Sequence, residues 1–584
     1  MRFRALAGLA LATALLACRS AAPPASSPAQ PAVPRRVVLL SLDGASSLTL
    51  HRLYEEGALT AGGFSRFFRE GQVADGLIPV DPSLTAVNHI SLATGYPPDQ
   101  TGIVANNFHP AGTPFLESVS GFAAPIGTET LWEAVRRQGK RAGIVNWPGA
   151  DGNGPRRTAD WGMIYVNDPE RRSELVTVES GLWEPAGETA KTLGLQSRSP
   201  AQGIAVQVGA GEAEAQQFDL LAADGRLMAV PPGKREAFPL PLGRWADLPC
   251  RLSERDAVCP VKLLKLDLTA ETRLYFGGVY PLRAYPEDFA SALAARKLFW
   301  TGPPDDRSLG AAWMGRPGID LETWLEQSDR FTRFFGEGLL TAAQRSDWDL
   351  LMGYLPVIDE AGHQLLLTDP RQPGFTPERR DALEAARRKV WQAVDRELAR
   401  LLGALDLRST VVVIVSDHGM TPVHTAVDPN VLLQEKGLLA ADRKGKVQEK
   451  GTLAWTVGSG GVVHVYVAPD RPDLVPVLRD LFAGWTVNGE HPVERIYSRK
   501  EAAAVHLDHP DSGDLILFLR EGFGDGEANT YGKHGYLTTY PDMRGIYMAL
   551  GAGIPPGNAG TVRNPEVAGR VASWLGIGKP RPEP

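Results

Sequence analysis

Five short segments of this chain carry residue types that can hold a divalent cation or activate a hydroxyl. Asp43 ends one apolar run as Ser-Leu-Asp-Gly, and Asp417 and His418 end another as Ser-Asp-His-Gly. Asp359 and His363 stand four apart, so one helical turn puts both on the same face. His534 lies in Gly-Lys-His-Gly-Tyr, where the glycines permit a close backbone approach. In the fifth segment, Pro82–Gly95, Thr85 stands just ahead of a helical pattern. Imidazole and carboxylate are ligand types for zinc and similar divalent metals. A hydroxyl beside such an ion becomes a nucleophile, because the ion stabilises its deprotonated form. Each segment also has a plain structural reading: a helix cap for Asp43 or Thr85, a surface pair for Asp359 and His363, a loop histidine for His534. The adjacent Asp417–His418 pair is the least easily explained by capping.

The elements that must position these residues read as an α/β chain. Unbroken apolar runs at Arg36–Leu42, Ala142–Asn146, Leu350–Leu355 and Thr410–Ser416 suit parallel strands buried on both faces. Helical patterns at Thr130–Gln138 and Arg379–Leu402 lie between them. From about 170 to 290 the texture becomes alternating and turn-rich, as in Gln217–Leu221, Arg226–Val230 and Val261–Leu268, followed by helical stretches near Pro286–Phe299 and Leu321–Glu337. The expected organisation is a leader at 1–17, a Pro/Ala/Ser tether at 18–35, catalytic core at 36–169 and 336–584, and an inserted subdomain at 170–335. Gly458, Gly460 and Gly461 precede a strand-like Val-Val-His-Val-Tyr-Val and read as a turn rather than a phosphate cradle.

Composition narrows the class. With 43% hydrophobic and 22% charged residues among 584, the chain is globular rather than disordered. Its formal charge of −7 argues against a dedicated nucleic-acid binder, and three cysteines exclude a disulfide scaffold. Arg2 and Arg4 precede a short apolar run that suits a signal peptide and is too short to span a bilayer. The run ends Leu-Leu-Ala-Cys18, which resembles the bacterial lipobox, so Cys18 is the expected lipid attachment point and the cell envelope the expected location. The alternative is a plain secretory signal with an incidental cysteine. Cys250 and Cys259 are open to either a disulfide or two free thiols.

Taken together and in order, the five segments resemble the type I phosphodiesterase/nucleotide pyrophosphatase branch of the alkaline phosphatase superfamily. Trp147-Pro148-Gly149 and the stretch Thr94–Asn106 fit the same pattern. The resemblance implies an alkaline phosphatase-like sandwich with a mainly parallel central sheet, helices on both faces and an inserted β-rich subdomain. It implies two Zn2+ ions, other divalent metals being possible. One is held by Asp359, His363 and His534, the other by Asp43, Asp417 and His418 with Thr85 as exchangeable ligand. Thr85 is then the nucleophile, with Ser83 as a rival hydroxyl and His89 a structural residue. The expected reaction is in-line attack on a phosphate ester through a phospho-threonine intermediate.

Asn88 is expected to donate to a phosphoryl oxygen, and Tyr354 to bind the substrate as an aromatic platform. Ala86 departs from the family pattern by removing the second aromatic face. Trp147-Pro148-Gly149 favours a diester, whereas Arg156 and Arg157 keep a monoester reading open, as a phosphatase-like enzyme would use them on the extra anionic oxygen. A phospho-group transferase and a non-catalytic exported metal-binding protein are further alternatives. No protein partner is readable.

Overall fold

The computed structural model describes residues 36–195, 199–209, 215–252, 255–296, 302–443, 445–526 and 530–582. The leader, the tether and Cys18 lie outside the described residues, as do residues 297–299 of the expected helical stretch. Among the described residues no helix is long and apolar enough to cross a membrane.

Nine strands form the central sheet: β1 (Arg36–Leu42), β2 (Gln72–Val73), β3 (Ala142–Val145), β4 (Trp161–Ile164), β5 (Arg283–Tyr285), β6 (Leu350–Leu355), β7 (Thr410–Val415), β8 (Tyr547–Gly551) and β9 (Gly557–Asn558). Their order is β5-β4-β3-β6-β1-β7-β8-β2-β9. The five strands from β4 to β7 run parallel, and β5 and β8 pair antiparallel at either side. Alternate residues feed two separate cores. Val38, Leu40 and Leu42 of β1 join Val412 and Ile414 of β7 in one. Val37 and Leu39 join Val411, Val413 and Val415 in the other. A strand covered on both faces needs an apolar residue at every position, which accounts for the unbroken runs in the sequence.

The principal helices are α1 (Thr85–Thr94), α2 (Asp306–Trp313), α3 (Leu321–Ala343), α4 (Val357–Leu365), α5 (Pro377–Ala404) and α6 (Glu566–Leu575). α3 and α5 cover the first face through Trp324, Phe331, Phe335, Val390 and Leu398. α1 and α6 cover the second through Val87, Ile90, Val567 and Val571. This is the α/β sandwich expected from the sequence.

The inserted subdomain packs a five-stranded and a four-stranded antiparallel sheet around Phe218, Leu220, Val261 and Phe276. A disulfide joins Cys250 to Cys259 across the hairpin of Trp245–Leu252 and Arg255–Lys265, with the Cα atoms 6.0 Å apart. The insertion is shorter than the expected 170–335. Arg283–Tyr285 already rejoins the central sheet beside β4, and α3 packs in the catalytic core. The reason is long-range: the helix covers whichever sheet face matches its aromatic stripe, and here that is the central one. A second, smaller antiparallel sheet holds Ala454–Ser459, Val462–Val467, Val493–Ser498 and Leu515–Leu519 around its own core. It lies within residues 336–584.

Candidate metal and nucleophile site

The chemistry-bearing residues meet at the carboxyl ends of the parallel strands, where ligands of open α/β sheets gather. Asp43 follows β1, Asp417 and His418 follow β7, and Asp359 and His363 ride on α4 directly after β6. His534 comes from the loop after the short strand Gly532–Lys533. Two sets of ligand atoms each lie within 4.8 Å of one another: Asp359, His363 and His534, and Asp43, Asp359 and His418. Asp417 joins them through Oδ2, 3.1 Å from His418 Nε2. Asp43 Oδ1 is 3.3 Å from the same nitrogen.

All three imidazoles are oriented in one way. His418 Nδ1–H donates to Gly419 O at 2.9 Å, His363 Nδ1–H to Gly532 O at 2.8 Å and His534 Nδ1–H to Ser83 O at 3.0 Å. Each backbone carbonyl fixes a tautomer that leaves Nε2 with its lone pair facing the cluster, as metal-binding histidines require. Two glycine sites make the approach possible. Gly44 has φ +66°, and a Cβ there would stand 2.8 Å from Asp359 Cα. At the hairpin turn Gly460-Gly461, the Gly461 N–H donates to His534 O at 2.8 Å, and Gly460 has φ +61°. The glycines read from sequence as a turn therefore hold a ligand loop in place.

The carboxylates do not satisfy one another. Asp43 Oδ1, Asp359 Oδ1 and Asp417 Oδ2 are all buried without a hydrogen-bond partner. Burial, reinforced by the charges of Asp417 and Asp359, raises the Asp43 carboxyl well above its usual range. Burial also pushes Asp417 up, but His418 and His89 outweigh it and hold the group well below the carboxylate norm. Burial similarly opposes ionisation of Asp359, yet His363 beside it brings it down to about 2. Burial, with His418 adding to it, lowers His534 to about 3. Three buried carboxyls with orphaned oxygens and three inward Nε2 atoms form a donor set that a divalent cation satisfies and that the protein alone does not.

Thr85 is the first residue of α1, but it does not cap the helix. Leu84 holds the cap position and no side chain caps that end. Instead the Thr85 hydroxyl lies 3.2 Å from His418 Nε2. Ser83, the rival hydroxyl, donates to Tyr536 O at 2.8 Å and is wholly buried. His89 is also buried: its Nδ1 lies 2.9 Å from Thr85 O and 3.3 Å from Asp417 Oδ2, and its Nε2 lies 2.9 Å from Ser41 Oγ. It orients Asp417 and the start of α1, in keeping with a structural role.

Two expected substrate contacts are corrected. Asn88 is completely buried, and its Nδ2 donates to the carbonyls of Val80, Pro82 and Leu84. It pins the loop before Thr85 and has no amide hydrogen left for substrate. Tyr354 is buried at 7% exposure, its hydroxyl donating to Asp43 Oδ2 at 2.5 Å. Its ring meets His89 and Tyr165 edge-on, so it positions a carboxylate instead of offering a stacking face. Arg157 bonds Asp151 and the carbonyls of Ala124 and Phe122, and Arg156 bonds Ile126 O. Neither guanidinium is directed to the cluster.

Asn106 was missed. Its Oδ1 accepts from Ala86 N–H at 2.9 Å, at the first turn of α1, which brings this amide to the residue after Thr85. It closes the Thr94–Asn106 stretch that the sequence had already singled out, but lies too far along the chain from Thr85 to be assigned by spacing.

A family model for type I phosphodiesterase / nucleotide pyrophosphatase matches residues 37–218 and 284–537. An ectonucleotide pyrophosphatase/phosphodiesterase of Caenorhabditis elegans is 32% identical over 122 residues, covering 20% of this chain and 15% of that protein. A bis(5'-adenosyl)-triphosphatase of Xenopus laevis is 30% identical over 118 residues, covering 20% of this chain and 25% of that protein. Ectonucleotide pyrophosphatase/phosphodiesterase 1 of Saccharomyces cerevisiae is 26% identical over 250 residues, covering 39% and 31% respectively. The matched part thus spans under a third of each of these relatives. Among solved structures, murine ectonucleotide pyrophosphatase/phosphodiesterase 5 in complex with AMP is 14% identical with a TM-score of 0.47, covering 93% of this chain and 96% of that one. Phosphonoacetate hydrolase from Sinorhizobium meliloti 1021 is 16% identical with a TM-score of 0.46 and the same coverage.

Proposed function

The chain belongs to the type I phosphodiesterase / nucleotide pyrophosphatase family, and from that premise we propose that it hydrolyses phosphate diesters with Thr85 as nucleophile and two divalent cations, zinc by ligand type. The observation that carries this reading is the Thr85 hydroxyl, 3.2 Å from His418 Nε2 within a cluster of orphaned carboxylate oxygens. Asp359, His363 and His534 would hold one cation; Asp43 and His418, with Asp417 beside them, would hold the other, and Asp359 belongs to both groups of ligand atoms. Bound there, the cations supply Lewis-acid polarisation of the phosphoryl oxygens and favour the deprotonated hydroxyl.

The chain's own residues do the rest. Thr85 Oγ1 attacks phosphorus in line, forming a Thr85–phosphate ester as the bond to one alcohol breaks, and that alcohol leaves with the proton Thr85 gives up. Water then cleaves the Thr85 ester, restoring the hydroxyl and releasing the monoester. The start of α1 faces the phosphoryl group with its positive dipole end. Asn106 Nδ2 donates to a non-bridging oxygen, the role that Asn88 does not fill. The Arg156 and Arg157 bonds to loop carbonyls support a diester over a monoester, because these two guanidinium groups are engaged away from the cluster.

Hydrolysis of a paired nitrophenyl phosphate diester and monoester by zinc-loaded protein tests the reading. A diester preference supports it, and a monoester preference overturns it. The leader and Cys18 further support export and lipid anchoring to a bacterial envelope. On that reading, Cys18→Ala moves the protein from the membrane to the soluble fraction, and unchanged fractionation contradicts it.

A further inference from the structure

The loop between α4 and α5 carries one polar side chain that points inward. Arg371 and Pro373 are exposed, whereas Gln372 between them is 2% exposed. A buried amide needs partners for its oxygen and for both of its hydrogens, and Gln372 has them. Its Oε1 accepts from the Thr368 and Asp369 N–H groups at 2.7 and 2.9 Å. Its Nε2 donates to Leu366 O at 2.9 Å, Val423 O at 3.2 Å and Tyr531 O at 2.7 Å. Those three carbonyls belong to three segments of the chain: the cap residue that ends α4, the strand Thr421–Val427, and the stretch that leads into His534.

Two of these segments carry ligand histidines. His363 O, left free at the end of α4, accepts the Tyr531 N–H at 2.7 Å, and His363 Nδ1–H donates back to Gly532 O at 2.8 Å. A Cβ on Gly532 would stand 2.5 Å from Gly362 O, so this stretch lies directly on the helix. His534 follows two residues later. Neither α4 nor the strand Gly532–Lys533 belongs to the central sheet. The spacing of the two imidazoles is therefore set by how residues 531–534 seat on α4. Gln372 bonds both sides of that seat, Leu366 O on the helix and Tyr531 O on the loop.

Resting on the two-cation reading, we infer that Gln372 is a positioning residue for the cation of Asp359, His363 and His534. All its hydrogen bonds named above go to backbone, so its effect on the metal passes through the seating of the two histidines. Groups that orient metal ligands in this way contribute about 10–100-fold to metal affinity. The coupling is reciprocal: whatever the clamp adds to cation affinity, the bound cation adds to the clamp.

Calorimetric zinc titration of metal-free wild type and Gln372→Leu tests this, since leucine keeps much of the bulk and removes both donor and acceptor. One of the two sites is expected to weaken about tenfold while the other keeps its wild-type affinity. The kcat for a nitrophenyl diester falls at limiting zinc and returns in excess zinc, with KM unchanged. In a His363→Asn background, where that site is already lost, Gln372→Leu costs no further zinc. Two unaltered sites, or equal weakening of both, overturn the positioning role while Thr85-dependent diester hydrolysis stands. The wild type supplies a second arm that needs no variant. By reciprocity, hydrogen exchange of residues 366–372 slows about tenfold when zinc is added. Exchange that zinc leaves unchanged overturns the inference even where Gln372→Leu does not fold. A wild type that binds a single zinc overturns the two-cation reading, and the positioning role with it.

Discussion

The two halves of the cation cluster are held in different ways. Asp43, Asp417 and His418 follow parallel strands directly, and their side chains are 0–2% exposed. Asp359, His363 and His534 come from a helix and a loop, with side chains 13%, 25% and 8% exposed. The strand-end half needs only the central sheet to be in place. The helix–loop half also needs the smaller subdomain docked, because Gly461 holds His534 by its backbone. The strand-end half, next to Thr85, is thus the more deeply buried, and the helix–loop half the more exposed.

Substitutions separate the halves, and the largest effect belongs to the residue next to the more buried one. Thr85→Ala lowers kcat by at least about 10³-fold while the melting temperature stays within a few degrees of wild type. An unchanged kcat breaks the picture of a nucleophile side altogether. Asp417→Asn comes next, with kcat down roughly 10²–10³-fold and little recovery in excess zinc, since this half loses a fully buried ligand. His363→Asn, in the more exposed half, loses roughly 10–100-fold and regains part of it in excess zinc. Equal losses with equal recovery would erase the distinction between the halves.

Smaller effects sharpen it. A Cβ on Gly461 would meet the Tyr536 ring at 2.5 Å, so Gly461→Ala shifts the turn that holds His534. Zinc titration should then show one weakened site, by roughly tenfold, beside one of wild-type affinity. The smallest is a pH effect in the docking subdomain. His464 is wholly buried, accepts the Gly513 N–H at 3.0 Å, and is brought down to about 4 by burial with Arg499 adding to it. The folded state keeps it neutral where the unfolded chain binds a proton, so its contribution is fully present above about pH 6.5 and fades as pH falls toward 4. The loss is about 3 kcal/mol. Hydrogen exchange at Gly532–Tyr536 should therefore quicken on acidification before that of β1 and β7, and His464→Gln should flatten the trend.

Legibility in the sequence followed the same division. Asp43, Asp417 and His418 could be found because each directly follows an apolar run, and a strand buried on both faces announces itself by having no polar position. Asp359 and His363 were legible from helical spacing. Asn88 and Tyr354 were misread because their partners lie elsewhere: the amide meets carbonyls of a loop that folds back on the helix, and the phenol meets Asp43 across the sheet, 311 residues away. Asn106 escaped for the same reason, since only the fold brings its amide to the Ala86 N–H. The end of the insertion depended on Arg283–Tyr285 pairing with β4, a contact across more than a hundred residues that no local pattern encodes.

The most direct test of two cation sites of unequal depth is metal content, measured by elemental analysis of unchelated wild type, His363→Asn and Asp417→Asn after gel filtration in metal-free buffer. Two sites of unequal burial predict about two zinc equivalents in the wild type and about one in His363→Asn, with the site next to Thr85 still filled. A single equivalent in the wild type that His363→Asn leaves unchanged would contradict it.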